Sequence, residues 1–71
     1  DDDAVCTQAP PAQWLSVEQI KAKATELGYA VRSAKTEGSC IEVYAIDPAG
    51  ARVEAYFDPA SGEIVRKKVK R

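Results

Sequence analysis

The chain has no histidine, only two cysteines, and a net charge of −1 over 71 residues. Each shortage excludes a class of chemistry. Without histidine there is no Ser/His or Cys/His pair, in which an imidazole takes the proton of the attacking group. Two cysteines and no histidine cannot supply the four N or S ligands of a structural zinc site within one chain. Cys6 and Cys40 also lie far from the two-residue spacing of a thioredoxin-type pair. No apolar run approaches the roughly 20 residues that a membrane helix needs. The near-neutral balance, with a pI near 5.3, lacks the basic face of a nucleic-acid binder. Gly28, Gly38, Gly50 and Gly62 stand singly, so there is no Gly-rich phosphate loop.

What is present suits one small globular domain. Charged residues make up 30% and hydrophobic residues 45%, an ordinary globular balance. A chain of this size hides only about 60% of its unfolded surface, so its core is thin. A Cys6–Cys40 disulfide is the economical use of the cysteines. It would close a loop of about 35 residues and stabilise the fold by roughly 3–4 kcal/mol on the chain-entropy model. It would also place the protein in an oxidising compartment. The other reading is two free thiols in a cytosolic protein. The acidic, Ala- and Pro-containing start suits a mature form from which an export leader has been removed.

Along the chain, residues 1–13 lack periodicity, and Pro10 and Pro11 favour an extended arm over a helix. The stretch "SVEQIKAKATELGY" is the clearest helix. Ser16 and Gln19 have the spacing of a capping box, and Leu15 and Ile20 that of a hydrophobic staple. Val17, Ile20, Ala24 and Leu27 form one apolar stripe, and Gly28 suits the left-handed residue that ends a helix. Three extended runs follow, "YAVRSAKTE", "CIEVYAID" and "ARVEAYFD", with "EIVRKK" as a short fourth. The basic end, residues 67–71, reads as a solvated tail or as a docking site for an acidic partner.

The second and third runs are near copies, and the turn between them sets their pairing. Asp47-Pro48-Ala49-Gly50 has type I turn chemistry. A three-residue loop opposes Asp47 to Ala51. Counting back pairs Ala45 with Val53, Val43 with Ala55 and Ile41 with Phe57, all apolar. On the other face Ile46 meets Arg52, Tyr44 meets Glu54, and Glu42 meets Tyr56. A slip of one residue would mix the faces, so the pattern supports this register. The first run needs a bulge, because Val31 and Ala34 have opposite parity. The expected fold is α+β: one helix packed on a three- to four-stranded antiparallel β-meander, in two layers. The divisions are an arm at 1–13, a domain at 14–66 and the basic tail at 67–71.

The polar face carries the candidate site: Glu42, Tyr44, Arg52, Glu54 and Tyr56. The expected face is open and half-wet, with Tyr–Glu cross-strand pairs. Nothing in the pattern buries a carboxylate there, so acid–base catalysis has no support. The turns hold too few acids for a calcium or magnesium site. Asp47 and Asp58 are turn-formers. The face is therefore either an interface for a protein partner or a surface that the N-terminal arm covers, since Cys40 shares its parity. Trp14 is expected to be a packing residue. No catalytic, metal or cofactor residues are expected, and the protein is expected to be a monomer that neither binds nucleic acid nor inserts in a membrane.

The stretches "SVEQIKAKATELGY" and "CIEVYAIDPAGARVEAYFDPASGEIV", led in by a Cys-x-x-x-x-Pro segment and Trp14, resemble the PepSY family. The likeness is to its short exported bacterial members and covers residues 6–65. It implies a helix on an antiparallel sheet, export to the periplasm, and a non-enzymatic module. In metalloprotease propeptides such a module restrains the protease. The resemblance therefore implies a role in inhibiting or regulating a protease or other protein partner. Its alternative is an accessory role beside a membrane electron-transfer (cytochrome) or metal-handling system. The family brings no catalytic residues.

Overall fold

The computed structural model describes residues 4–70; the Asp1–Asp3 run and Arg71 lie outside the described residues. Helix α1, Val17–Glu26, precedes strands β1, Ala30–Glu37, β2, Cys40–Ile46, β3, Arg52–Phe57, and β4, Ile64–Val69. The strands form one antiparallel sheet in the order β1-β2-β3-β4. The α+β meander with one helix on one face is thus as the hydrophobic pattern requires, with a full fourth strand.

The capping box forms as the spacing demands. The Ser16 hydroxyl accepts from the Gln19 N–H at 3.1 Å, and the Gln19 side-chain oxygen accepts from the Ser16 N–H at 2.8 Å. Gly28, at φ +95°, turns the chain out of the helix. Ile20 and Ala24 have no exposed surface and pack on Ile41, Val43, Ala45, Val53, Ala55 and Phe57. Burying a side chain such as Ile20 or Phe57 stabilises by about 1.5–3 kcal/mol. Leu27 departs from the expected stripe. It caps the helix and is 54% exposed, because the last turn runs to a surface cleft bordered by Gly62 and Ile64.

The β2–β3 register is the one counted from the turn, residue for residue. Asp47 holds the turn: its Oδ1 accepts from the N–H groups of Ala49 and Ala51, each at 2.9 Å, and its carbonyl accepts from Gly50. Asp58 does the same for the next turn, accepting from Ala60 and Ser61. The bulge expected in β1 falls between Val31 and Ser33, and a second shifts the register between Tyr56 and Phe57.

Two expectations need correction. Residues 67–69 are not a tail; they complete β4, with Glu54 opposite Lys68 and Val53 opposite Val69. The arm is not extended throughout. Pro11–Gln13 make one 3₁₀ turn, with Pro11 at its first position, where its missing N–H costs nothing. Trp14 packs that turn, half-buried, with its indole N–H donating to the Ala9 carbonyl at 2.9 Å.

Candidate functional site

The face of the sheet away from α1, here the distal face, is built by strand parity. Lys35, Glu42, Tyr56 and Arg66 form one cross-strand row; Ser33, Tyr44, Glu54 and Lys68 form the next. The register thus brings together four of the five expected site residues, Glu42, Tyr44, Glu54 and Tyr56. Arg52 sits one row further out, opposite Ile46.

The face is not the open surface expected. Glu42 is 3% exposed, Glu54 5% and Tyr56 3%. Tyr44 is half-buried, and of the five only Arg52 is exposed. The first cover comes from the arm. Cys6 and Cys40 are joined in a disulfide, which is the pairing expected. The Ser39 hydroxyl accepts from the Cys6 N–H at 2.8 Å, and the Ala4 carbonyl accepts from the Ser39 N–H at 3.0 Å. Gly38 makes this approach possible: a Cβ there would collide with the Ala4 carbonyl, and its φ of +59° is one that other residues rarely adopt. The arm residues Ala4, Val5 and Cys6 then border a small crevice with Tyr56 and Arg66. The second cover comes from β4. The Lys68 and Lys70 ammonium groups lie 3.9 and 3.6 Å from the Glu54 carboxylate. Arg66 and Lys68 stack over the Tyr56 ring at 5.4 and 5.8 Å. The alternation of Arg66, Lys68 and Lys70 against Lys67 and Val69 was the sequence signal for this cover.

The covered groups form one polar network. The Tyr44 hydroxyl bonds the Glu54 carboxylate, and this bond, then burial, then the charge of Glu42, push its pKa far above the usual phenol value of 10.0. The same bond is the main cause that holds Glu54 below the ordinary carboxylate value of 4.5. Burial opposes it, while Glu42, Lys70 and Lys68 support it. Burial, then Glu42, raise Tyr56, and Arg66 opposes. Among the described residues no buried side-chain N or O lacks a partner. A depressed carboxylate between phenols that keep their protons is a stable charge-assisted arrangement. It is the reverse of what a general acid needs, which is a carboxyl group raised toward neutrality.

Among the described residues no group of three or more His, Cys, Asp or Glu side chains could hold a metal ion. No helix of the described residues is long and apolar enough to cross a membrane.

A helix on a four-stranded antiparallel meander, with a satisfied polar network on the sheet face away from the helix, defines a small α+β module. The chain belongs to the family described as the peptidase propeptide and YPEB domain, PepSY_2, whose model matches residues 4–68. That family suggests a propeptide-like or regulatory module, of a kind typically exported. No curated protein matches the chain, and no solved structure does.

Proposed function

We propose that this chain is a non-enzymatic regulatory module of the periplasm or the medium that holds an extended segment of a protein partner along β4. The observation that carries this reading is the state of that strand. β4 is an edge of the sheet, and every residue from Val65 to Val69 is exposed. Helix α1 packs over β1 and β2, on the other side of the sheet. Val65 and Val69, each 52% exposed, are two of the large apolar side chains left in solvent, interleaved with Arg66, Lys67 and Lys68. The Lys70 N–H donates inward to the Arg52 carbonyl at 2.7 Å. By the alternation of an antiparallel strand, the N–H groups of Lys67 and Val69 point outward. An added strand would bond these groups, and an acidic, apolar-alternating sequence would match the side chains. Lysines on an edge also discourage pairing between like copies, which favours an acidic guest over a second copy of this chain. The family's propeptide character makes a protease the first partner to test.

The experiment is capture of partners from periplasmic extract by the wild-type chain and by Lys67→Pro. Proline removes an outward N–H without breaking a ladder bond. Capture lost in the variant, with an unchanged far-UV spectrum, supports docking on β4; equal capture by both refutes it. Addition of the protein to an extracellular metalloprotease without any change in rate would count against the inhibitor form of the proposal.

A further inference from the structure

The distal face ends, near the Asp47 turn, in an open cleft that borders the network above and shares Tyr44 and Lys70 with it. Arg32, Ser33, Tyr44, Ile46, Arg52 and Lys70 line it, and it measures about 700 Å³. That size is within the range of small-molecule sites, roughly 300–1,000 Å³. Its lining comes from three strands and the residue after β4. Tyr44 and Ile46 are neighbours on β2 of like parity, and both are half-buried. Arg52 is opposite Ile46 across β2–β3. Lys70 is tied beside Arg52 by its backbone bond.

Arg32 reaches the cleft because of the β1 bulge. Val31 faces Ala45 and Ser33 faces Tyr44, so Arg32 is the extra residue between two successive pairs. Bulges re-aim side chains in this way and recur beside functional sites. Here the bulge adds a guanidinium to a rim that regular pairing would leave with two cations. Among the described residues these charges are not fully matched. Lys70 lies against Glu54, but no carboxylate of the described residues is within ion-pair distance of Arg32 or Arg52. The nearby Asp47 already spends its Oδ1 on two backbone N–H groups. Three cations and no carboxylate thus line the cleft, around a floor with an aromatic and an aliphatic side chain.

We propose that this cleft binds a small amphiphilic carboxylate, its apolar body against Tyr44 and Ile46 and its carboxylate held by Arg32 and Arg52. Planar guanidinium donors match a carboxylate in paired, charge-assisted bonds. The apolar floor selects against small hydrophilic anions, and the rim selects against neutral amphiphiles. The site does not depend on a partner at β4.

The test is a titration of the full chain followed by ¹⁵N–¹H correlation NMR, with octanoate as probe. Octanol supplies the same body without charge, and acetate supplies the charge without the body. The expected result is saturable shifts at the Ser33, Tyr44, Ile46 and Arg52 amides with octanoate, and far weaker ones with the other two. The double variant Arg32→Gln/Arg52→Gln should bind octanoate about tenfold or more weakly, the loss expected when bonds to a charged group are removed. Lys67→Pro should bind it as the wild type does. Equal shifts with octanol would reduce the cleft to an apolar patch, and equal shifts with acetate would reduce it to general anion attraction. Undiminished affinity in the double variant, or no saturable shifts at all, would likewise overturn the proposal. The probe comparison needs no variant, so it stands even if a substitution disturbs the fold.

Discussion

Removing the Cys6–Cys40 bridge should cost this domain a large part of its stability. The bridged residues are 34 apart in sequence. On the chain-entropy model a loop of that size restricts the unfolded chain by about 4 kcal/mol. A domain of this length has roughly 4–11 kcal/mol in total. The loss is thus between a third and nearly all of it. For a domain of this size each kcal/mol moves Tm by about 4–8 °C, so the expected fall is about 15–30 °C. The native state should lose more than the link. Three hydrogen bonds hold the arm near the bridge, Cys6 N–H and Thr7 N–H to Ser39 Oγ and Ser39 N–H to Ala4 O, and each contributes only about 0.5–1.5 kcal/mol. The assay is thermal unfolding by far-UV circular dichroism, on the oxidised protein, on the reduced protein and on Cys6→Ser/Cys40→Ser. Agreement between the last two separates loss of the link from any effect of the reductant. A fall in Tm of less than about 5 °C, near 1 kcal/mol, would show that the bridge is not what pins the arm.

Ile20→Ala should destabilise by about 2–5 kcal/mol, since Ile20 is wholly buried on the sheet; a urea midpoint that matches wild type would contradict the packing of α1 described above. Stability should also fall at both ends of the pH range. The depressed pKa of Glu54 means that its contribution is present above the unfolded carboxylate value of about 4.5 and is lost as pH drops through the folded value. The raised values of Tyr44 and Tyr56 act in the opposite sense. Their contribution is present below the unfolded phenol value of about 10 and is lost as pH climbs above it. Urea unfolding from pH 3 to 11 should therefore show an acid limb that Glu54→Gln flattens, and an alkaline limb that Tyr44→Phe reduces; limbs unchanged in both variants would refute the network.

Which parts of this structure were legible in the sequence follows from how local their causes are. The β2–β3 register could be counted because Asp47-Pro48-Ala49-Gly50 fixes the loop and each strand alternates cleanly. The helix start was legible because Ser16 and Gln19 cap each other within one turn. The bulge in β1 showed as a break in parity, Val31 against Ala34. The burial of Glu42, Glu54 and Tyr56 was legible only in part: cover by the arm was one of the two readings of this face, and cover by the basic end was not. It depends on an arm drawn in by a bridge to the start of β2, and on lysines from the far end of the chain. Residues 67–71 looked like a tail because Ile64 and Val65 are both apolar, and a bulge hides the alternation that follows them. The cleft at Arg32 and Arg52 was missed for a similar reason. Its two guanidinium groups come from strands that do not pair with each other, and one of them owes its place to the bulge.

The most direct test of docking on β4 is amide hydrogen exchange on the captured complex, read at Lys67 and Val69. In the free protein these two amides should exchange quickly, because they face the open edge, while that of Lys70, bonded to Arg52, should exchange more slowly. With the partner bound, Lys67 and Val69 should become protected. Exchange at both that is as fast in the complex as in the free chain would contradict the proposed mode of binding.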